Sequence, residues 1–443
     1  MEFYNREMEL EKLKNIQKKS EKSGKFTVLM GMRRVGKTLL YLEFAKQVQT
    51  PTLYFFVARK EEALLVEDFV QETREKLGIF VPEMKSFETL FEFLLVQSQT
   101  MSFTLMIDEF QDFNRINTSI FSVIQKLWDL YKRESKLNLI VCGSIYSLMQ
   151  KIFTGQKQPL FGRPDYRMML RPFETPTLKK ILDEEIGNWN NDDLLALYTV
   201  TGGIPRYIEL IIDEQTTDTF SQNEMFETLI NENSFFIDEG NILLISEFGK
   251  KYELFYSILS CIARGINEQS KIEQALDGRS IGSYIKQLIE EYEIIERLTP
   301  ILSADGTKKV KYKIRNQFLT FWFRYFDRHR SLIETRNFDR LKETIIADYP
   351  VFSGKALEGY FIEKLKESKG FTNIGSWWND KDGSDEIDIV AIDSLNKTVL
   401  IAEVKRNPKK FQKTIFDNKV FNLTNRHFKK YEINSRLLSI DDM

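Results

Sequence analysis

The sequence predicts an α/β protein with four parts: a phosphate-loop (P-loop) αβα core, an all-helical segment, a winged helix, and a smaller C-terminal α/β domain. Three observations carry this. Short, nearly continuous apolar runs alternate with helical patterns through the first 170 residues. That alternation indicates a parallel sheet covered on both faces. The pattern then turns helical, and after residue 350 it becomes helix, strand, strand, strand, helix, strand. A chain of 443 residues, 42% of them hydrophobic, can bury about three cores, or four if some are small. The expected bounds are 1–170 for the core, 171–238 for the helical segment, 239–335 for the winged helix and 336–443 for the last domain.

The elements follow in order. MEFYNREMELEKLKNIQKK opens as a short extended lead and continues as a helix, with Met8, Leu10 and Leu13 at roughly helical spacing. KFTVLMG (25–31) is a strand and TLLYLEFAKQV (38–48) a helix. TPTLYFFVARK (50–60), SFTLMIDEFQD (102–112) and KLNLIVCGSIYSLM (136–149) supply three further strands, the last running into a helix. TLKKILDEEI, DDLLALYTVTGG, PRYIELIIDE and NEMFETLINEN are helices. Between 240 and 315, three helical stretches precede a hairpin with its turn at Asp305-Gly306, the order of a winged helix. LTFWFRYFDRHR (319–330) is an aromatic-rich helix suited to packing domains together. The last domain runs from the helix GKALEGYFIEKLKES through strands at 371–380, 386–393 and 396–404 to a helix near 409–421 and a strand near 433–440.

Composition narrows the chemistry. The formal net charge is −2, so a nucleic-acid surface must be local. No apolar run approaches the length that spans a bilayer, and the N-terminus has no apolar h-region. A cytoplasmic protein without signal peptide or membrane span is expected. Two cysteines, Cys142 and Cys261, and two histidines, His329 and His427, speak against a disulfide framework, a structural zinc and histidine catalysis. The working groups are then carboxylates, Lys, Arg, hydroxyls and backbone amides. A metal would be Mg²⁺-like and held by oxygen.

GMRRVGKT fits G-x-x-x-x-G-K-[ST], with a strand before it and a helix after. The loop Gly31, Met32, Arg33, Arg34, Val35, Gly36, Lys37 and Thr38 is expected to bind ATP. Backbone amides and the helix N-terminus cradle the phosphates. Lys37 reaches the β- and γ-phosphates, and Thr38 ligates Mg²⁺. Asp108, ending the apolar strand of LMIDEF, suits the Mg²⁺ shell, and Glu109 suits polarisation of the attacking water. Ser144, just past the strand of IVCGS, either senses the γ-phosphate and orients water or caps the helix that follows.

FYNREMELEKL, GMRRVGKT, MIDEFQ, CGS, PLFGRPDYRMMLRPF and TGGIPRYIEL occur in this order. Together, over roughly residues 1 to 235, they resemble the archaeal and bacterial ATPases of the AAA+ class, in the branch close to origin-recognition and signal-transducing NTPases. The resemblance implies that the helical segment is a lid and that a winged helix follows it. It implies that an arginine near the end of the core contacts a neighbour's nucleotide, which would make the protein a homo-oligomer. Arg163 in LFGRP is the first choice and Arg167 the second, with a plain surface arginine as the alternative. It further implies that Arg206 in GGIPRY touches the phosphates from the lid, and that Tyr4-Asn5-Arg6-Glu7 lies near base and ribose.

SIGSYIKQLIEEYEIIERL reads as the second helix of a helix-turn-helix unit, with Tyr284 and Lys286 at its exposed start. Such a helix either enters a DNA major groove or serves as a protein–protein spacer, and Glu290, Glu291 and Glu293 follow closely.

EIDIVAIDSLNKTVLIAEVK (386–405) places Asp388, Glu403 and Lys405 on strand faces that would normally stay apolar. If the strands pair through the turn near Ser394, Asp388 and Glu403 converge and can hold Mg²⁺, with Lys405 positioned to assist and Glu358 completing the metal shell from a helix. The element order and the spacing D-x(14)-E-x-K resemble the PD-(D/E)xK nuclease superfamily, whose fold is that of restriction endonucleases. That resemblance, over roughly 350 to 443, implies DNA as partner and Asp388, Glu403 and Lys405 as catalytic groups. From 405 to 430 nine basic residues face one acid, Asp417, which suits a phosphate backbone or a solvated helix face. Phe411, Phe416, Phe421 and Phe428 interleave as core or as base-stacking platforms. Trp377 and Trp378, neighbours in a strand, should be one buried and one partly exposed. The sequence thus points to an ATP-hydrolysing protein acting on DNA, or to a nucleotide-dependent switch whose C-terminal domain binds without cutting.

Overall fold

The computed structural model describes residues 3–214, 221–249, 252–304, 306–307, 309–378 and 386–443. Asp305 at the expected hairpin turn, and residues 379 and 380 of the expected strand 371–380, lie outside these. The chain divides into two compact units, 3–171 and 172–443, each taken by itself.

In the first unit five strands form one sheet: β1 (Lys25–Gly31), β2 (Thr52–Phe56), β3 (Phe103–Asp108), β4 (Leu137–Cys142) and β5 (Tyr166–Leu170). Their order is β2-β3-β4-β1-β5 and every pairing is parallel. This is the αβα core of the P-loop AAA+ type. The central strands β3 and β4 are buried at every position. Alternate residues therefore feed two cores. Val28, Ile107 and Val141 pack on one side with Trp128. Leu29, Met106, Ile140 and Cys142 pack on the other with Leu13, Leu40 and Phe44. The unexpected fifth strand, β5, is an edge strand with alternating burial, and Arg167 within it broke the apolar run that signalled the other four.

The second unit begins with helices Thr175–Glu185, Asn191–Thr201, Pro205–Asp213, Gln222–Leu229 and Phe236–Phe248. Asn190 starts the second of these with a full capping box closed by Asp193. Helices Tyr252–Ala263, Gln269–Ala275 and Gly282–Glu290 then lead into an antiparallel ribbon of β6 (Ile295–Leu298) and β7 (Lys311–Ile314). The aromatic segment forms a helix, Gln317–Trp322, that runs into a π-turn, Phe323–Asp327. Trp322 is buried and its indole N–H donates to the Ile237 carbonyl at 2.8 Å. Its ring lies against Gly240: a Cβ there would stand 2.1 Å from a ring carbon. A ring wedged in a core cannot swing aside cheaply. Gly240→Ala should destabilise this unit by about 3 kcal/mol, the upper end of ordinary overpacking. Chemical denaturation monitored by tryptophan fluorescence checks this, and an unchanged midpoint refutes it.

The last hundred residues follow the expected order. The 30-residue helix Phe338–Glu367 precedes β8 (Asn373–Trp377), β9 (Ile387–Asp393) and β10 (Thr398–Lys405); helix Lys413–His427 and β11 (Glu432–Ser439) complete it. The sheet order is β11-β10-β9-β8, antiparallel except for the β10–β11 pair. The loop after β6 docks on β8, where the Ile301 N–H donates to the Ser376 carbonyl at 2.8 Å. Trp377 and Trp378 are both buried, which corrects the expectation of one partly exposed ring. The Lys311 ammonium covers Trp378, 4.7 Å from its ring centre. Among the described residues no helix is long and apolar enough to cross a membrane.

Candidate functional site

The loop from Gly31 to Thr38 joins β1 to helix Lys37–Gln47. Gly36 caps that helix with φ 92°, a conformation only glycine adopts without strain. Lys37 is buried, and its ammonium donates to the carbonyls of Gly31 at 2.9 Å and Met32 at 3.0 Å. Arg6 is also buried. Its guanidinium donates to the carbonyl of Arg171 at 2.7 Å and to that of Val35 in the loop at 3.4 Å. Arg6 therefore braces the loop from below.

Asp108 lies across the sheet from this loop and is 5% exposed. One carboxylate oxygen accepts from the Thr38 hydroxyl at 2.8 Å and from the Tyr54 hydroxyl at 2.7 Å. The other accepts from the Cys142 thiol and from the Glu109 N–H, each at 2.8 Å. Burial, with the Asp108 charge beside it, pushes both the Tyr54 hydroxyl and the Cys142 thiol well above their ordinary pKa. They stay protonated and act as donors. Thr38 and Asp108 are hard oxygen donors one hydrogen bond apart, a pair that fits Mg²⁺.

Glu109 adopts φ 53°, a left-handed conformation in which an ordinary residue is held only by its surroundings. Its carboxylate accepts from the Ser144 hydroxyl at 2.8 Å and from the Gln111 amide. Of the two readings of Ser144, the geometry therefore ties it to the glutamate rather than to a helix cap; among the described residues no side chain caps helix Tyr146–Thr154. Gly143 makes room for Gln111, because a Cβ there would stand 1.9 Å from the Gln111 amide oxygen.

The arginines are arranged differently. Arg163 is clasped to Asp129 by its Nε at 2.9 Å and 3.1 Å and by a second nitrogen at 2.9 Å, and it donates to the Phe161 carbonyl at 3.0 Å. Arg167 donates to the Phe153 carbonyl at 2.7 Å. Arg206, in the second unit, pairs with Glu209 at 2.6 Å.

The second cluster lies on β9 and β10. Their ladder pairs Ala402 with Ile389, so Asp388 and Glu403 stand one step beyond it on neighbouring strands. Both are 13% exposed. The Lys405 ammonium sits 2.8 Å from Glu403 and 3.8 Å from Asp388. Asp388 also accepts from the Val404 N–H at 2.8 Å. Burial pushes the Asp388 carboxyl up, against the pull of that N–H, and the Glu403 charge adds to it. Burial would lower Lys405, but the Glu403 contact and the Asp388 charge outweigh it and hold the ammonium above its ordinary value.

Glu358 enters this field from helix Phe338–Glu367, 3.5 Å from Lys355. Burial, opposed by Lys355 and reinforced by the charges of Asp388 and Glu386, pushes its carboxyl up to about 7. Among the described residues, however, no three His, Cys, Asp or Glu side chains stand close enough to cage a metal. Glu358, expected to complete the metal shell, stands instead beside Lys355 and is not grouped with Asp388 and Glu403. Asp388 and Glu403 remain a two-carboxylate pair, and among the described residues one buried oxygen of Glu403 has no hydrogen-bond partner. Lys419, on helix Lys413–His427, stands 3.9 Å from that oxygen. An oxygen pair with one open position suits a hard divalent cation.

The nine cations of 405–430 split into groups. Arg406 points inward to Ser353 at 2.6 Å and to Asp192, and its guanidinium stacks 5.2 Å from the Tyr349 ring centre. Lys419 donates to the Glu386 carbonyl at 2.9 Å, and Lys413 pairs with Asp417 at 2.8 Å. Lys409, Lys410, Arg426, Lys429 and Lys430 are exposed. Phe416 and Phe428 are core, Phe411 packs on them, and Phe421 is 65% exposed. Sequence reading did not single out Tyr54, Gln111, Gly143, Lys355 or Lys419 for these sites, although the family sets MIDEFQ and CGS held Gln111 and Gly143.

Residues 3–211 match a family described as an ATPase domain predominantly from Archaea. Residues 322–415 match one described as archaeal and bacterial proteins of unknown function. An uncharacterized protein of Methanocaldococcus jannaschii is 30% identical over 416 residues, 91% of this chain and 87% of its own. Among solved structures, the Walker-type ATPase of Pyrococcus abyssi aligns with a TM-score of 0.54 at 19% identity, over 73% of this chain and 96% of that one. The ORC2 protein of Aeropyrum pernix aligns with a TM-score of 0.48 at 12% identity, over 76% and 95%.

Proposed function

This chain belongs to the family of ATPases found predominantly in Archaea, and from that premise we propose that it hydrolyses ATP with Mg²⁺ at residues 31–38 and acts on DNA through its C-terminal part. The observation that carries the first half is the shared contact of Thr38 and Asp108, with Glu109 next in the chain. Thr38 and Asp108 would hold Mg²⁺, which, when bound, neutralises charge on the phosphates. Lys37 would exchange the loop carbonyls for phosphate oxygens. Glu109 would align the attacking water, and Ser144 would fix the orientation of Glu109. Arg206 would meet the phosphates from the helical lid, and an arginine of the core, Arg163 or Arg167, would serve a neighbouring copy. Arg163 would have to leave Asp129, and Arg167 the Phe153 carbonyl.

For the second half, the helices and ribbon of 252–314 form a winged helix, and Asp388, Glu403 and Lys405 form a Mg²⁺-dependent phosphodiester-cleaving site. Asp388 and Glu403 would hold the metal, and Lys405 would position water or stabilise the charge on phosphorus. A binding-only reading has one observation in its favour: Lys405 already neutralises Glu403 at 2.8 Å. The whole reading is tested by ATP turnover with and without DNA. Duplex DNA should raise the steady-state rate by about tenfold, within the range of allosteric coupling. A rate indifferent to every DNA tried refutes action on DNA and leaves the ATPase assignment standing.

A further inference from the structure

Helix Lys413–His427 buries Phe416 and Leu423. On the side away from them, Thr414, Asn418, Phe421 and Asn425 follow at intervals of four, three and four residues, with Asn422 beside them. All five are exposed, and Phe421 at 65% is too large and too open to be core. Among the described residues, none of the three asparagine side chains makes a hydrogen bond. The one acid of this helix, Asp417, is paired with Lys413 at 2.8 Å.

Cations without ion-pair partners among the described residues flank the ridge. Lys409 and Lys410 precede the helix. Arg426, Lys429 and Lys430 close it. A helix of this length spans about 22 Å, enough to lie in a major groove and reach phosphates at both ends. The helix of the ribbon segment is more acidic. Its Lys286 lies 3.8 Å from Glu290, and in the groove beside it Glu268, Glu273 and Glu290 outnumber Lys286 and Arg297.

We propose that helix Lys413–His427 is the DNA-reading element and that its outward ridge favours A·T pairs in the major groove of a duplex. Asparagine pairs in bidentate fashion with adenine, and threonine and phenylalanine meet the thymine methyl. The flanking cations set affinity and carry no sequence information. This rests on the DNA reading above, whose failure shows separately.

The test measures fluorescence anisotropy of the full chain with labelled 20-base-pair duplexes, one A·T-rich and one G·C-rich, and with a single strand. The A·T-rich duplex should bind about tenfold tighter than the G·C-rich one. Asn418→Ala/Asn425→Ala and Phe421→Ala should abolish that difference and leave weak, salt-sensitive binding to both. Lys429→Gln/Lys430→Gln should weaken binding to all duplexes alike. Circular dichroism verifies that each variant is folded. Equal affinity of the unaltered chain for the two duplexes, or a preference for the single strand, overturns the inference and leaves DNA action intact. No binding to any DNA overturns both. Self-association that Phe421→Ala abolishes, with DNA affinity unchanged, makes the ridge an interface between copies and also overturns it.

Discussion

Replacing Glu109 with glutamine is expected to lower ATP turnover by about two to three orders of magnitude while ATP binding stays within a few-fold of its original value. The side chain keeps its length and one acceptor oxygen, so Ser144, which donates at 2.8 Å, can still hold it. What it loses is the negative charge that polarises water. The backbone at φ 53° keeps its strain in either case, because the neighbours that impose it are unchanged. Ser144→Ala should cost less, about tenfold, since it removes orientation and not charge. Lys37→Ala separates binding from chemistry, because it should lose both. Turnover would be followed by phosphate release and binding by a fluorescent ATP analogue. Turnover of Glu109→Gln within twofold of the unaltered chain sinks the assignment of Glu109, and Asp108 would then have to carry the water as well as the metal.

The phosphate loop was legible because its eight residues are contiguous and glycine marks its turns. The shell around Asp108 was not. Tyr54 pairs with Met106 and Ile107 with Val141 across parallel strands, so Tyr54, Asp108 and Cys142 meet only once the sheet has its register. Nothing local in TLYFF or LIVC announces that. The buried strands β3 and β4 were readable as apolar runs, whereas edge strand β5 hid behind Tyr166 and Arg167. Within the cluster of the last domain, Asp388, Glu403 and Lys405 follow from strand alternation alone. Lys355 and Lys419 reach it from two helices whose placement depends on tertiary packing. The four phenylalanines of the basic segment carry a related lesson. Steps of five residues turn a helix by about 140°, so Phe416 and Phe421 cannot share a buried face. The observed burial of Phe416 with Leu423, seven apart, is the helical period.

Asp388→Asn is expected to abolish metal-dependent cutting of plasmid DNA, and Lys405→Ala to lower it by about a hundredfold or more, with ATP turnover unchanged in both. Asp388 is the more sensitive because it loses a metal ligand, whereas Lys405 acts on charge that develops at phosphorus. The chain would be incubated with supercoiled plasmid and Mg²⁺ or Mn²⁺, and nicked and linear products counted. Absence of cutting by the unaltered chain under every condition favours binding alone. Glu358 supplies an independent check that needs no catalysis. Its carboxyl titrates near 7 in the fold against an ordinary 4.5, so between those values the native state binds more protons than the unfolded chain. Its contribution to stability is complete below the lower value and lost as pH rises through the upper one. Lys355 softens this loss, and Asp388 and Glu386 deepen it. In EDTA, Glu358→Gln should therefore melt at the same temperature as the unaltered chain at pH 4, and several degrees higher at pH 8. If the two melting curves stay superposed at pH 8, burial beside Asp388 and Glu386 does not hold the Glu358 carboxyl up.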